Sequence, residues 1–417
     1  MIFFTDLMHP KLEFLGAADG IGSQSLYIDC DSAKILIDYG LTPTDPPEYP
    51  LPSPKPDIML LTHCHLDHSG TIPVIAAHYD APIICSSLTL EATTLLLKDS
   101  LKVAKNEGYS LPYTLHEIEM FRQKARTVNF GKKLNVNEVS INVHSAGHIP
   151  GALMFEIVAD KTLLFTSDLH TIDMRLVSGA KPVKCDTLLI ESTYAGREHP
   201  NRKELEKQFI DDIDDVNSRG GLVLIPCFAV SRTQEIMMIL ADQGMEIYLD
   251  GMGQAVNRIY KDYPQYLRSP EKFNKALNKI NLVRREKDRK KALSADVIIT
   301  TSGMLDGGPV LEYLLKIKES KRDSLFLTGY QVEGSNGRKL LDTGKIEISG
   351  ISVDINCPIK FFDFSAHAGH SELIDFIYKC APENVIFMHG YSREMLKEHI
   401  EKDFNVILPQ NGVTFVP

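Results

Sequence analysis

The segment Thr62-His63-Cys64-His65-Leu66-Asp67-His68-Ser69-Gly70 constrains this chain more than any other stretch. It puts four ligand-type side chains, His63, His65, Asp67 and His68, into six positions directly after the apolar run DIMLL. A short apolar run of this kind predicts a buried strand, so the cluster falls on a loop at a strand's C-terminal end, where α/β folds carry their chemistry. In extended backbone His63 and His65 project to the same side and can share one cation. Asp67 and His68, on the turn that follows, offer a carboxylate and an imidazole to a second. Alternation turns Cys64 to the opposite face, so it is read as a buried thiol outside the ligand set. His148 in SAGHIPGA and Asp168 in LLFTSDLH also end strand-like runs beside small residues, and the cluster upstream makes them further ligand candidates. An aspartate can bridge two metals about 3.5 to 4 Å apart. The nitrogen-rich donor set favours zinc over magnesium. The expectation is two Zn2+ per chain, with Mn2+ as a substitute.

The rest of the chain predicts an α/β protein in two parts. Residues 1 to about 60 give short strands (LYIDC, KILIDYG), a Pro-rich loop from Thr42 to Pro56, and DIMLLTH. Three-to-four apolar spacing predicts helices over Thr89–Ala104 and Leu115–Ala125, after which INVHSAGH, a hairpin in LMFEIVADKTLLFTSD and the run TLLIEST return to strand patterning. From about residue 200 helix and strand alternate: helix 202–218, GLVLIPCF, SRTQEIMMILADQ, EIYLDG, a helix near 253–263, DVIITTSG, PVLEYLLKIKE and SLFLTGYQ. Such alternation predicts a parallel, helix-covered sheet. IKFFDFSAH, a helix in HSELIDFIYKC, NVIFMHG, a last helix and VILPQ can complete the first block. At 417 residues two domains, or one with a large insert, are expected.

Composition excludes other classes. With 43% hydrophobic and 24% charged residues the chain is neither disordered nor membrane-like, and no apolar run reaches the roughly 18 residues of a membrane span. The N-terminus lacks a basic region before an apolar stretch, so no secretion signal is read and a cytoplasmic protein is expected. Seven cysteines without a C-x-x-C pair argue against a zinc finger or a disulfide framework. A net charge of -10 argues weakly against a nucleic-acid partner, although bound cations restore positive charge locally.

His63, His65, Asp67 and His68, with Asp38 of ILIDYG, His148 and Asp168 in that order, resemble the signature motifs of the metallo-β-lactamase superfamily. That resemblance implies a four-layer αββα sandwich with the site at one edge of two packed sheets. It also implies that Asp38 orients the site without binding metal. Glu191 in LLIESTYAG, His367 in FDFSAHAGH and His389 in IFMHG resemble the three additional motifs of the β-CASP branch, whose members cut RNA or, more rarely, DNA. TTSGMLDGGP (300–309), GYQVEGSNGRKL (329–340) and PCFAVSRTQE (226–235) resemble segments of the same branch, particularly prokaryotic relatives of the cleavage and polyadenylation endonuclease. The resemblance covers nearly the whole chain. It implies a metallo-β-lactamase domain in two pieces, 1–195 and 362–417, with a β-CASP domain of mostly parallel sheet inserted over 196–361. His389 then becomes the seventh metal ligand. The implied activity is a zinc-dependent ribonuclease in RNA processing or decay, an endonuclease by preference, with a 5′ exonuclease as the alternative mode. A hydroxide bridging the metals, placed by ligands that include Asp67, attacks phosphorus, and His367, oriented by Glu191, protonates the leaving oxygen. A single-stranded RNA substrate and a homodimer are implied likewise.

Three departures from the family pattern bear on cleavage mode. Gly369 stands where many relatives have an acidic residue, Tyr391 follows His-Gly where a glutamate is common, and Ser231 replaces a frequent glycine. The nucleic-acid-binding module of some archaeal relatives is not read ahead of the first strands, so substrate selection is expected from the catalytic groove or a partner chain. Ser302, Gly303, Gly307 and Gly308 form a turn between a strand and a helix whose N–H groups can cradle a phosphate, and Gly334, Ser335 and Gly337 form another. Arg232, Arg338 and Lys339 are candidates to neutralise RNA phosphates, whereas RREKDRKK (284–291) is read as a solvated helix face. A small-molecule metallo-hydrolase acting on a thioester or lactam predicts neither the His–Glu pair nor the insert. A DNA nuclease shares every motif named, and a non-catalytic binding protein predicts missing ligands.

Overall fold

The computed structural model describes residues 10–44 and 46–417. The chain divides into two compact units. One comprises the described residues up to Asp173, Gly179–Glu198 and His367–Pro417. The other comprises Met174–Ser178 and His199–Ala366.

The first unit contains two seven-stranded sheets. Sheet one runs Thr414–Phe415, Lys11–Gly16, Ser25–Asp29, Lys34–Ile37, Ile58–Leu60, Ile83–Cys85, Ala125–Thr127. It begins antiparallel (Leu12 opposite Ile28, Leu26 opposite Ile37) and turns parallel at Ile35 opposite Ile58. Sheet two runs Asn405–Ile407, Asn384–Met388, Thr187–Glu191, Thr162–Phe165, Leu153–Val158, Val139–Ser145, Lys133–Val136. Residues of one parity on each strand meet in a common core: Leu12, Phe14, Ile28, Ile35 and Ile37 from sheet one, and Val143, Phe155, Ile157, Phe165, Leu189 and Ile386 from sheet two. The opposite parity of sheet one, Leu36, Met59 and Ile83, packs with Ile72, Ile75, Leu97, Ile118 and Phe121 of its helices. On sheet two, Leu188, Ile190, Val385 and Phe387 alternate with core residues and are fully buried, so their outer face is also covered. The helices His370–Cys380 and Arg393–Ile400, on either side of Asn384–Met388 in sequence, bury Leu373, Phe376, Ile377, Leu396 and Ile400. This is the αββα order.

The second unit is built on a six-stranded sheet, parallel throughout, in the order Asn281–Leu282, Ile247–Asp250, Val297–Thr300, Val223–Pro226, Ser324–Leu327, Ile359–Phe361. Its four inner strands, Ile247–Asp250, Val297–Thr300, Val223–Pro226 and Ser324–Leu327, are buried at every position, as in a sheet with helices on both faces.

Several elements differ from the sequence expectation. Leu66–Ser69 is a single helical turn and not an open turn. Helix Ser87–Glu107 outruns Thr89–Ala104 at both ends because Ser86 accepts the Thr89 N–H and Gly108, at φ 84°, supplies the left-handed C-cap. Ala125 begins a strand and does not end a helix. Helix Pro270–Lys279 and the hairpin Lys345–Ile348/Ile351–Asp354 have no counterpart in the expectation.

Candidate metal centre

The site is assembled in the first unit at strand ends. Asp38 follows Lys34–Ile37 in the left-handed region (φ 57°) and is wholly buried. Its Oδ1 accepts the Thr62 N–H (2.8 Å), and its Oδ2 accepts the Thr62 hydroxyl (2.7 Å) and His68 Nδ1–H (2.7 Å). The carboxylate thereby holds one proton of His68 on Nδ1 and turns Nε2 inward. The helical turn Leu66–Ser69 carries Asp67 and His68, and Ser69 Oγ ties it back to the Cys64 carbonyl (2.9 Å). Gly40 permits the close fit: a Cβ there would stand 1.7 Å from the Asp67 carbonyl oxygen. Cys64 is buried, and burial pushes its thiol up to about 12.

Two groups of donor atoms converge, His63, His65, His148 and Asp168 in one and Asp67, His68 and His389 in the other. In the first, His63 Nε2 and His148 Nε2 lie 3.1 and 3.2 Å from His65 Nδ1, and Asp168 Oδ2 lies 3.5 and 3.6 Å from His63 Nε2 and His148 Nε2. Donors about 2.0–2.1 Å from a tetrahedral cation stand about 3.3 Å apart, so these separations are the edges of such a polyhedron. In the second, Asp168 Oδ1 is 3.2 Å from His68 Nε2, and Asp67 Oδ2 is 3.5 Å from His389 Nε2 and 4.0 Å from His68 Nε2. Asp168 turns one oxygen to each group. His68 Nε2, Asp168 Oδ1 and His389 Nε2 are buried without a hydrogen-bond partner. Leaving three such atoms unsatisfied costs about 1–3 kcal/mol each, a cost a shared cation removes. The donor set fits a pair of cations.

Electrostatics agree with that fit. Burial, then the neighbouring imidazoles, hold His63 well below the usual histidine range, and burial lowers His65, so both present neutral nitrogens. Burial opposes ionisation of Asp67 and Asp168, but His68 and His389 beside them hold both carboxyls below the ordinary range. Burial likewise opposes charging His68, yet Asp168, Asp38 and Asp67 hold it well above, so Nε2 carries a proton that a cation bound there would displace. Three carboxylates around one imidazole leave negative charge for cations to neutralise.

Beside this centre His367 Nδ1 lies 2.9 Å from Glu191 Oε1, while its Nε2 lies 3.9 Å from Asp168 Oδ2. Glu191 is fully buried and fixed by two backbone donors, Leu169 N (2.9 Å) and Thr193 N (3.0 Å). Burial lowers His367, but Glu191 and Asp168 outweigh it and raise the imidazole to about 9. With its side chain 19% exposed, His367 holds a proton on Nε2 where an incoming group can take it. The Leu169 carbonyl accepts Ala368 N–H (2.7 Å), and the His367 carbonyl lies 3.0 Å from His170 Nδ1, so the loop is pinned. His389 is held at φ 53° by donation of its N–H to the Ala17 carbonyl (2.9 Å) and by Thr193 Oγ1. The structure therefore brings together all seven expected ligands with Asp38, Glu191 and His367. Thr62, Ser167 and Thr193, which steady them, were not singled out from sequence, although Thr62 and Thr193 adjoin motif residues.

The candidates for RNA contacts lie in the second unit. Ser302, Gly303, Gly307 and Gly308 link strand Val297–Thr300 to helix Pro309–Ile317, and a Cβ at Gly303 would meet Phe228 N at 2.8 Å. Gly334 has φ 85°, and Ser335 caps helix Asn336–Thr343 through Arg338 N. Arg232 is buried and donates to the Thr328 carbonyl, Arg338 pairs with Asp342, and Lys339 with Glu347 (2.7 Å). Each of these three cations thus already has an intramolecular partner. In the basic run, Arg289 is engaged by Asp250 and Glu312 (both 2.9 Å).

Fold and donor geometry together define a metallo-hydrolase whose buried His and Asp donors can hold metal. Residues 18–178 match the metallo-beta-lactamase superfamily, 233–340 the Beta-Casp domain, and 352–409 the Zn-dependent metallo-hydrolase RNA specificity domain. The chain is 37% identical to a probable RNase MJ4 of Methanocaldococcus jannaschii, across 96% of this chain and 99% of that protein. It is 30% identical to the RNase aCSPSF2 of Saccharolobus solfataricus, across 97% and 85%. It is 32% identical to the transcription termination factor FttA of Methanocaldococcus jannaschii, across 93% and 68%. A solved structure from Enterococcus faecalis V583, of a protein of unknown function, superposes with a TM-score of 0.65 at 14% identity, covering 98% of this chain and all of that one, and shares the fold. The chain belongs to the β-CASP branch of the metallo-β-lactamase superfamily, a family of metal-dependent nucleases. Among the described residues no helix is long and apolar enough to cross a membrane.

Proposed function

We propose that the protein is a zinc-dependent ribonuclease that cleaves single-stranded RNA internally. The carrying observation is the His367–Glu191 pair beside the donor clusters, a proton donor aimed at the same place as the ligands. Relatives named as RNases support RNA as the substrate. When bound, two divalent cations supply activated water at neutral pH and neutralise charge developing on the phosphate. His63, His65, His148 and Asp168 would hold one, and Asp67, His68, His389 and the same Asp168 the other. Asp38 keeps His68 Nε2 turned inward for that task. Glu191 keeps the proton of His367 on Nε2, from which it passes to the leaving 3′-oxygen. The Ser302, Ser335 and Gly337 N–H groups already donate to the Gly307, Val332 and Met304 carbonyls, so within the glycine-rich loops Gly303, Gly307, Gly308 and Gly334 are proposed to offer N–H groups to RNA phosphates. A second copy of the chain as partner is proposed from the family resemblance.

The test is zinc-loaded protein with one RNA labelled separately at its 5′ and 3′ ends, beside a matching DNA and a chelator control. Internal fragments lost with chelator are expected. Released mononucleotides would replace internal cleavage by a 5′ exonuclease, and intact RNA with both cations bound would refute the ribonuclease reading.

A further inference from the structure

Among the described large apolar and aromatic residues Tyr391 is the most exposed, at 73%, and it stands two residues after His389. Two trans peptide units place its Cα within about 7.6 Å of the His389 Cα. One edge of its ring lies on Gly20, where a Cβ would stand 3.1 Å from Cε1 and 3.7 Å from Cζ. The loop that carries Gly20 is tied to the same centre: the Ala17 carbonyl accepts His389 N–H (2.9 Å), and Gln24 N donates to the Asp67 carbonyl (2.7 Å). Arg393, buried, donates to the Ala18 carbonyl and fastens the start of the following helix to this loop. The ring is therefore carried by two segments, each fixed to a metal-ligand residue, and its open side faces water. Leaving a tyrosine ring in water forgoes burial of most of its 150–250 Å². Such a ring on a rigid mount loses little entropy when a flat partner covers it.

Resting on the ribonuclease reading, we infer that Tyr391 is a stacking platform for one nucleobase of the RNA next to the scissile bond. It is a positioning residue and takes no part in the proton transfers. Aromatic stacking tolerates every base because each has a π-face, so the platform fixes the register of the strand without reading its sequence.

The experiment compares wild type, Tyr391→Ala, Tyr391→Phe and His367→Ala, as zinc-loaded full chains, on an RNA oligonucleotide and on copies with one abasic nucleotide placed in turn across the cleavage site. Tyr391→Ala is expected to lower kcat/KM about 5- to 100-fold, mainly through KM, and Tyr391→Phe to stay within about twofold. One abasic position should reproduce the loss in wild type and add nothing in Tyr391→Ala. Equal kcat/KM for Tyr391→Ala and wild type, while His367→Ala loses cleavage, overturns the platform and leaves the ribonuclease standing. Equal losses in the Ala and Phe variants assign the effect to the hydroxyl and overturn it too. A wild type that neither binds nor cuts RNA refutes both.

Discussion

Replacing Asp38 by asparagine tests whether a buried carboxylate that binds no metal sets the affinity of the second donor group. Asp38 accepts three hydrogen bonds, and His68 donates one of them at 2.7 Å. In Asp38→Asn the amide oxygen keeps the Thr62 N–H, which leaves the NH2 facing the Thr62 hydroxyl and His68 Nδ1. The hydroxyl can rotate to accept, but His68 Nδ1 accepts only if its proton moves to Nε2, the atom 3.2 Å from Asp168 Oδ1. Coordination by Nε2 then forces Nδ1–H against an amide N–H, an unmet buried donor worth about 1–3 kcal/mol. The group of Asp67, His68 and His389 should therefore bind zinc roughly 10- to 100-fold more weakly, while the group of His63, His65 and His148 changes within a few-fold. Zinc titration against a competing chelator, with circular dichroism to confirm folding, reads both affinities. RNA cleavage should fall at limiting zinc and recover in excess. Two wild-type affinities in a folded Asp38→Asn protein would refute the orienting role.

Glu191→Gln removes the main charge holding His367 near 9, so the alkaline limb of cleavage should move down by about 1–2 pH units while zinc content holds. The same raised value means His367 lends stability that is full below its unfolded pKa of about 6.5 and is lost as pH rises through about 9; thermal melts across that window should show the decline, and a flat profile would contradict it. His367→Ala should keep both zinc ions and lose at least about 100-fold in kcat, measured with metal analysis on the same sample. Phe14→Ala, between the two sheets, should cost about 3–5 kcal/mol in urea unfolding of the whole chain, whereas Leu115→Ala, 62% exposed, should cost under about 0.5 kcal/mol.

Four of the seven expected ligands, His63, His65, Asp67 and His68, were legible because spacing carries them, four in six positions after an apolar strand with Cys64 turned away by alternation; His148 and Asp168 were candidates only beside that cluster, and His389 only through the family resemblance. The one-turn helix at Leu66–Ser69 was hidden, since four residues show no period. Helix Pro270–Lys279 buries only Phe273 and Ala276, too thin a stripe to separate from a polar loop. The hairpin Lys345–Ile348/Ile351–Asp354 does alternate apolar and polar residues, Ile346 and Ile348 on one strand and Ile351 and Val353 on the other about Gly350, a strand signal that was legible and went unread. Contacts between distant residues were not derivable from spacing at all: His367 and Glu191 are 176 positions apart, and only the family resemblance paired them. Arg232, Arg338 and Lys339 illustrate the opposite limit, for a cation's intramolecular carboxylate or carbonyl partner is invisible until the chain is folded.

The most direct measurement is zinc content against RNA cleavage on one sample, stripped with chelator and then reloaded stepwise. Two zinc ions per chain at saturation, no cleavage in the stripped protein, and activity returning as the second equivalent binds are the expected results. Cleavage persisting in fully stripped protein, or two bound ions with RNA left intact, would contradict a zinc-dependent ribonuclease.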